Sequence, residues 1–485
     1  MNLNRDMRYT VEPDDTTKTV RFHDFQDAVQ VCSILDYSRT GISFILQDGS
    51  LLFKIGDVIP DLIFLSLDRE IYHGDCTIIH IQDNTEEDED LSVIGCTFND
   101  HDLDIHSIIR VDKITQCKNE FLDFIQSMAV EDNLEPDFVH LTSHLHYVLK
   151  GFKERLDKEE RTLASEEESI RPAMTETIRD LAYEALYEEL FKYYDHFTEI
   201  ISRFNDPKKH FIHREFFQSR LLALYRNSIL FKRAYDKPLG YAGDFEMMNI
   251  IYKNAFEGED IFSQIMGKID NTGPASKAVR NRRTYLYKKI RHEVEHLGQG
   301  TSIKILSVAC GPSLEFYDIL KTLKGKPLPC RVEFIGMDQD TQALENSRMN
   351  IEPLAKKRDD ISVCFVEDNI KRLIVGKTAD PGEYTDSDIV YSAGLFDYLS
   401  EKASNRLIQS MYSFVKPGGL IIIGNFGKYN PQRFIMEYGS NWFLIHRSEE
   451  ELKALAVGLP DDIDIKVERE PEGVNLFLNI RKPLE

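Results

Sequence analysis

The residues best placed to do chemistry sit where an apolar run ends. Ile305-Leu306-Ser307-Val308 passes into Ala309-Cys310-Gly311-Pro312-Ser313 and then Leu314-Glu315. Small side chains at such a turn let the backbone approach a ligand closely. A second apolar run, Phe334-Ile335-Gly336-Met337, ends in Asp338, whose carboxylate can accept hydrogen bonds from ribose hydroxyls. Glu367-Asp368-Asn369 follows a third run and is placed to supply polar groups around an adenine. The set points to an adenosine-containing cofactor. A dinucleotide site asks for GxGxxG, because the third glycine lets a helix pack close while its amino end faces the pyrophosphate. Here those positions are Ala309, Gly311 and Leu314, so the third glycine is missing. S-adenosylmethionine carries no phosphate and needs only the tight turn, the ribose acid and the polar adenine groups.

These groups must be held by regular elements, and the chain from about residue 296 supplies them. Strand candidates at 303–308, 332–337, 361–366, 387–392 and 419–424 alternate with helix candidates at 313–323, 341–351 and 403–415. Such alternation predicts a parallel sheet with helices on both faces. Ser448-Glu449-Glu450-Glu451 reads as a capping box opening a helix. Two alternating runs, 463–468 and 474–480, then form an antiparallel hairpin around Glu-Pro-Glu-Gly.

The preceding region, 113–295, has the helical period. Leu181, Leu186, Leu190 and Phe197 recur among Tyr183, Tyr187, Tyr193 and Tyr194, with charges between. The polar stretch 163–172 breaks one helix from the next. This aromatic stripe reads as helix-packing core, and the region is also the natural place for a lid and an acyl tunnel. Residues 1–112 differ again. β-branched runs at 29–35, 41–46, 76–81 and 91–98, cut by Gly, Asp and Asn, predict a small β-barrel or sandwich. The acidic run 86–90 reads as a solvated loop. The whole is a multidomain α/β chain: a small β-barrel over 1–112, a helical linker and lid over 113–295, and an α/β domain over 296–485.

Composition narrows the partners. The 485 residues carry a formal net charge of -23, which argues against nucleic acid and against anionic membrane surfaces. No apolar run approaches the ~20 residues of a membrane helix, and the amino terminus has no apolar signal core. Seven scattered cysteines without a CxxC pair suit reduced thiols, so the expected location is cytoplasmic. His292-Glu293-Val294-Glu295-His296 matches HExxH, but it lies in a charge-dense helix with no apolar scaffold behind a metal. It reads as a helix surface, and no metal site is expected.

Lys416-Pro417-Gly418-Gly419 turns directly into the strand Leu420-Ile421-Ile422-Ile423. With the alternating pattern, the 309–313 turn and the terminal hairpin, residues 296–485 resemble class I S-adenosylmethionine-dependent methyltransferases. The resemblance implies a Rossmann-like seven-stranded sheet. It implies a cofactor held by Ala309, Cys310, Gly311, Ser313, Glu315, Asp338, Asp368, Asn369, Ser392 and Gly394. In that family the first motif starts with an acid and has three glycines; here Ser307 replaces the acid, and Ala309 and Ser313 stand at two glycine positions.

Three segments look like signatures: Lys237-Pro238-Leu239-Gly240-Tyr241-Ala242-Gly243-Asp244, Ala278-Val279-Arg280-Asn281-Arg282-Arg283, and Asn430-Pro431-Gln432-Arg433 with Asn441-Trp442. They resemble a bacterial methyltransferase family associated with 3-hydroxypalmitic acid methyl ester, an extracellular quorum-sensing signal. That resemblance implies methyl transfer to the carboxylate of a lipid-like 3-hydroxy fatty acid. Tyr241 and Tyr398 are then the candidate catalytic residues, and Asp244, Arg280 and Arg282 the candidate substrate contacts. A fatty carboxylate, with a pKa of ~4–5, is already ionised at neutral pH and needs no general base.

In the front region, Asp36-Tyr37-Ser38-Arg39-Thr40-Gly41 fits DxSxxG, and Ile94-Gly95-Cys96-Thr97-Phe98 fits a closing strand. Both resemble PilZ domains, which implies a cyclic di-GMP site at Arg5, Arg8, Asp36, Ser38 and Gly41. The family's RxxxR pair is represented by Arg5 and Arg8, one residue closer together. Two other functions stay open from sequence: a non-catalytic effector that binds a cyclic dinucleotide or S-adenosylmethionine, and a methyltransferase acting on another small molecule or on protein.

Overall fold

In the computed structural model of this chain, the residues described are 9–11, 17–24, 28–47, 53–67, 69–84, 91–105, 108–110, 113–115, 117–118, 121–122, 134–296, 302–323, 328, 330–374, 378, 381–460 and 462–484. They fall into two compact units, 1–126 with the stretch 371–377, and 127–370 with 378–485.

Seven strands build the sheet of the first unit: β1 (Tyr9–Thr10), β2 (Lys18–His23), β3 (Val29–Tyr37), β4 (Gly41–Gln47), β5 (Val58–Ser66), β6 (Arg69–Asn84) and β7 (Leu91–Phe98). Their order is β1-β3-β2-β5-β6-β7-β4, and pairing of β3 with β4 closes six of them into an antiparallel barrel. Closure removes the exposed edges that an open sheet would carry. Phe22, Phe44, Phe64 and Tyr72 fill its interior. The sequence runs found four of these strands. β5 escaped because Pro60 and a left-handed Asp61 interrupt its alternation with a register shift between Ile59 and Leu62.

The second unit begins with helices α1 (Pro136–Leu163), α2 (Arg171–Ile201), α3 (Pro207–Tyr225), α4 (Ile229–Asp236), α5 (Phe245–Lys253), α6 (Ile261–Thr272) and α7 (Pro274–His296). Asp206, Ser228, Asp244 and Asp260 each cap the helix that follows by accepting a backbone N–H. The aromatic stripe closes on itself as core. Phe138, Phe197, Phe217, Phe434 and Tyr438 pack together, with Phe197 stacked on Phe434 at 4.5 Å between ring centres. Over the described residues these rings pack on one another, as the helix-packing reading of the stripe expects.

Helix α7 feeds the sheet. Leu286, Ile290 and Val294 enter the core formed with Ile303, Ile305 and Phe334. Its outer residues are engaged in ion pairs: Glu293 grips Arg481 at 2.7 and 2.9 Å, and Glu295 pairs with Arg291. The glutamate of the HExxH pattern is thus part of a fork with an arginine.

The sheet comprises β8 (Ser302–Val308), β9 (Arg331–Asp338), β10 (Ile361–Glu367), β11 (Ser387–Ser392), β12 (Val415–Phe426), β13 (Asp464–Arg469) and β14 (Asn475–Arg481). The order is β10-β9-β8-β11-β12-β14-β13. The first five are parallel, and β14 runs antiparallel to both β12 and β13. Helices α8 (Leu314–Leu323), α9 (Thr341–Ala355), α10 (Glu401–Phe414) and α11 (Glu449–Ala454) complete it, α11 opening on the expected Ser448/Glu451 capping box. Every residue of β11 is buried, as a parallel strand covered on both faces requires. This is a Rossmann-like α/β unit. Its strand order reverses between β8 and β11, and ligands of such sheets bind outside the carboxyl ends at that reversal. All seven cysteines are free thiols. Among the described residues no helix is long and apolar enough to cross a membrane.

Candidate functional site

The turn after β8 has three left-handed residues: Ala309 (φ 54°), Gly311 (φ 52°) and Ser313 (φ 48°). These are the positions at which the motif of the family that residues 296–485 resemble has glycine. A non-glycine residue held there costs roughly 1–2 kcal/mol, so the backbone shape is kept although two of its favoured residues are gone. The turn is tied down from below. Cys310 N donates to Met337 O at 2.9 Å, Ser347 Oγ to Gly311 O at 2.8 Å, and Gly311 N to Asp338 Oδ2 at 2.8 Å. Beside Gly311 nothing among the described residues lies within 4 Å of where a Cβ would stand, so the space there is open.

Asp338 closes this corner. Its second oxygen accepts from Asp340 N at 3.0 Å. Burial pushes its carboxyl above the ordinary range, while the N–H groups of Asp340 and Gly311 pull it back. Each carboxylate oxygen still has a lone pair for a ligand hydroxyl. Asp340 caps α9 through Gln342 N and Ala343 N, and Tyr241 Oη donates to its Oδ2 at 3.5 Å. Burial, with Asp338 and Asp340 nearby, holds the Tyr241 phenol protonated. At the end of β10, Asp368 accepts from Asn369 N at 2.8 Å and from Tyr384 Oη at 3.2 Å.

Ser307 lies beside the Tyr391 phenol. Tyr391 Oη donates at 2.6 Å to Glu315 Oε1 in the first turn of α8. Glu315 is buried, which raises its pKa against the pull of Tyr391, Arg283 and Arg282. A buried acid is therefore present near the turn, but it reaches there from α8 rather than from β8.

The end of β11 lies at the same carboxyl edge of the sheet. Ser392 is fully buried and its Oγ has no hydrogen-bond partner. Gly394 lies under Arg282: a Cβ there would come 2.7 Å from Nη1. The next turn, Phe396–Tyr398, is fixed by Arg447, which donates to Phe396 O at 2.7 Å and Leu399 O at 2.5 Å. Burial pushes Asp397 up to about 7, although it accepts from Phe426 N and faces Arg282 and Arg447.

The three signature segments meet here. Gly243 touches Tyr398 and Trp442, Lys237 Nζ donates to Asn441 O at 2.9 Å, and Arg282 Nη2 reaches Met248 Sδ at 3.5 Å. Gln432 accepts from Ala275 N at 2.7 Å and packs on Gly273, latching the start of α7. The candidate substrate contacts separate by packing. Asp244 caps α5 and takes both Arg233 contacts, at 2.8 and 3.0 Å. Arg280 is engaged by Ile251 O, Asn271 O and Asn271 Oδ1. Arg283, beside them in sequence, forks with Asp318. Arg282 is buried, forms no ion pair among the described residues, and its Nε has no partner.

Sequence reading missed Trp442's contact, since 44 residues separate it from Tyr398, to which its Nε1 donates at 2.9 Å. Its being the one tryptophan of the chain was the available signal. Tyr391 and Asp397 were read only as strand and turn.

In the barrel, Ser38 satisfies its own turn: its Oγ accepts from Thr40 N at 3.3 Å, and its N donates to Gly41 O at 2.8 Å. Gly41 is required by close approach, since a Cβ would come 2.5 Å from Cys96 O on β7. Asp36 lies on β3 opposite Ser43. Arg5 and Arg8 lie outside the described residues.

No family model matches the chain, and no curated protein matches it. Among solved structures it is similar to a possible exported protein from Bordetella parapertussis, at 17% identity over 62% of this chain and 97% of that one, with a TM-score of 0.39. It is also similar to a magnesium protoporphyrin IX methyltransferase from Synechocystis with bound S-adenosylhomocysteine, at 8% identity, 52% and 99% coverage and a TM-score of 0.35. A third is MrkH, described as a cyclic di-GMP-dependent transcription regulatory factor, at 19% identity, 26% and 52% coverage and a TM-score of 0.19.

Proposed function

We propose that the protein is a cytoplasmic S-adenosylmethionine-dependent methyltransferase that esterifies a carboxylate, that of a 3-hydroxy fatty acid. The observation that carries this reading is Arg282, a buried guanidinium without an ion-pair partner among the described residues, over Gly394 at the carboxyl end of β11. Asp397 and Glu315 act on Arg282 from a distance without pairing with it, and a bound carboxylate would supply the direct partner. The left-handed turn, the open space at Gly311 and Asp338 fit the methionyl and ribose parts of the cofactor. When bound, S-adenosylmethionine supplies an activated methyl: its sulfur–methyl bond breaks as the carboxylate oxygen–methyl bond forms, leaving S-adenosylhomocysteine and a neutral ester.

The residues have little acid–base work to do, because the acceptor arrives ionised. Arg282 and Tyr398 hold its oxygens, and Tyr241 with Asp338 and Asp340 borders the ribose side. Alignment of nucleophile and methyl is then the main contribution of the protein. Partly buried Met248, Ile250, Tyr252, Trp442 and Leu444 pack on one apolar cluster, and Met248 reaches Arg282, an apolar setting that suits an acyl chain. Each buried methylene favours binding by ~0.8 kcal/mol.

Incubation with methyl-labelled cofactor and 3-hydroxy fatty acids should give a labelled methyl ester. Cofactor binding without ester would reject the lipid acceptor, and no cofactor binding would reject the enzyme class. A further part of this reading, regulation through the barrel by cyclic di-GMP at Arg5, Arg8, Asp36, Ser38 and Gly41, rests on the motif resemblance alone, since Ser38 and Gly41 already serve their own turn and strand packing. Calorimetry with cyclic di-GMP tests that part, and absence of heat would remove it.

A further inference from the structure

We infer that Trp442 is a positioning residue: it makes the Tyr398 hydroxyl an obligate donor toward the methyl acceptor, so that the crevice selects acceptors with an anionic oxygen. The inference rests on the methyl-transfer reading and adds what sets the acceptor's charge. Indole has one polar hydrogen and no acceptor. The 2.9 Å contact therefore has one possible direction, Trp442 Nε1–H to Tyr398 Oη. The phenol oxygen is the acceptor there, and its own proton must be given elsewhere. No acceptor for it is present among the described residues, and partial burial of the phenol holds it protonated.

The contact is built, not incidental. Gly243 lets the chain pass against both rings, since a Cβ would come 2.5 Å from Tyr398 Oη and 3.4 Å from Trp442 Cζ2. Arg447 fixes the carbonyls on either side of Tyr398. Trp442 is placed by Lys237 and Gln218, which bond Asn441 at 2.9 Å each, and by its own N–H to Met436 O at 2.8 Å. Nearby, Arg282 Nε and Ser392 Oγ also lack partners. The neighbouring carboxylates are engaged: Asp244 by Arg233 and Met247 N, and Asp397 by Phe426 N. A ligand that brings oxygen acceptors finds donors here; an amine that brings N–H groups does not.

Trp442 is the single tryptophan of the chain, so its emission reports this contact directly. The test titrates the intact protein, saturated with S-adenosylhomocysteine to prevent turnover, with 3-hydroxydecanoate and separately with 1,3-decanediol. The carboxylate should shift tryptophan emission saturably and the diol should not. In Tyr398→Phe the carboxylate Kd should rise about tenfold, the loss of one hydrogen bond to a charged group. Trp442→Phe should raise the acceptor KM by a similar factor, with S-adenosylhomocysteine affinity and Tm unchanged. Equal responses to carboxylate and diol would overturn the inference, as would unchanged acceptor affinity in Tyr398→Phe. Ester formation measured in parallel separates the two ideas. Ester without a tryptophan response sinks the inference alone. A response without ester sinks the transfer reading alone, and neither signal sinks both.

Discussion

Two turns, one in each unit, carry motif-like sequences and behave differently. The barrel turn at Ser38–Gly41 answers its own polar groups: the serine hydroxyl and amide bond within the turn, and the glycine serves strand packing. The turn at Ala309–Ser313 holds two non-glycine residues left-handed, with open space over Gly311. The end of β11 adds a buried arginine whose Nε, and a buried serine whose hydroxyl, have no hydrogen-bond partner among the described residues. A motif whose groups are all satisfied internally describes how a chain turns. Strain and unsatisfied donors gathered at one strand-order reversal describe a place for a ligand.

The comparison breaks most sharply at Arg282. Arg282→Ala should weaken acceptor binding by about 100-fold, as expected for losing a charge-assisted pair, while thermal stability changes little, because Arg282 forms no direct ion pair among the described residues. Arg280→Ala, which removes contacts to backbone carbonyls, should lower Tm instead. Acceptor KM and melting curves measured side by side decide it; equal loss of stability in both variants would make Arg282 merely structural.

The next effect is on pH dependence. Asp397 in the crevice and Asp270 in the helical layer are both pushed up to about 7 by burial. A raised carboxyl favours folding below its unfolded value of about 4, and that stability is lost as pH rises toward 7. Asp270→Asn and Asp397→Asn should each raise stability at pH 8 by about 1–4 kcal/mol, and by much less at pH 4. Only Asp397→Asn should also alter acceptor binding, which would sharpen the distinction between a buried acid and a site acid. Denaturant melts at the two pH values read the first effect.

Smaller still, Ser313→Gly should relieve left-handed strain and stabilise the second unit by about 1 kcal/mol. A drop in stability would mean that the Ser347–Ser313 contact at 3.4 Å outweighs the strain. Ser38→Ala should cost about 0.5–1 kcal/mol in the barrel and leave cofactor affinity unchanged.

The sheet was legible because buried parallel strands are nearly continuous apolar runs separated by helical periods. The 387–392 run, all buried, matches β11 residue for residue. Barrel strands with one charged face and a bulge were harder, as β5 illustrates. The tight turn at 309–313 could be located from spacing, but not its mode of support. That Glu315 reaches Tyr391, or that Trp442 reaches Tyr398, depends on packing between distant segments. The three arginines at 280, 282 and 283 look alike in sequence. Their difference lies in which partners the fold brings to each.

The central claim is that the crevice at the β8–β11 reversal holds S-adenosylmethionine through the 309–313 turn and Asp338. Isothermal titration of the intact protein with S-adenosylmethionine tests it directly. One saturable site per chain is expected, reduced at least 30-fold in Asp338→Ala, which loses both the ribose acceptor and the bond to Gly311, a loss of about 2 kcal/mol or more. No binding to the wild-type protein, or equal affinity in the two, would contradict it.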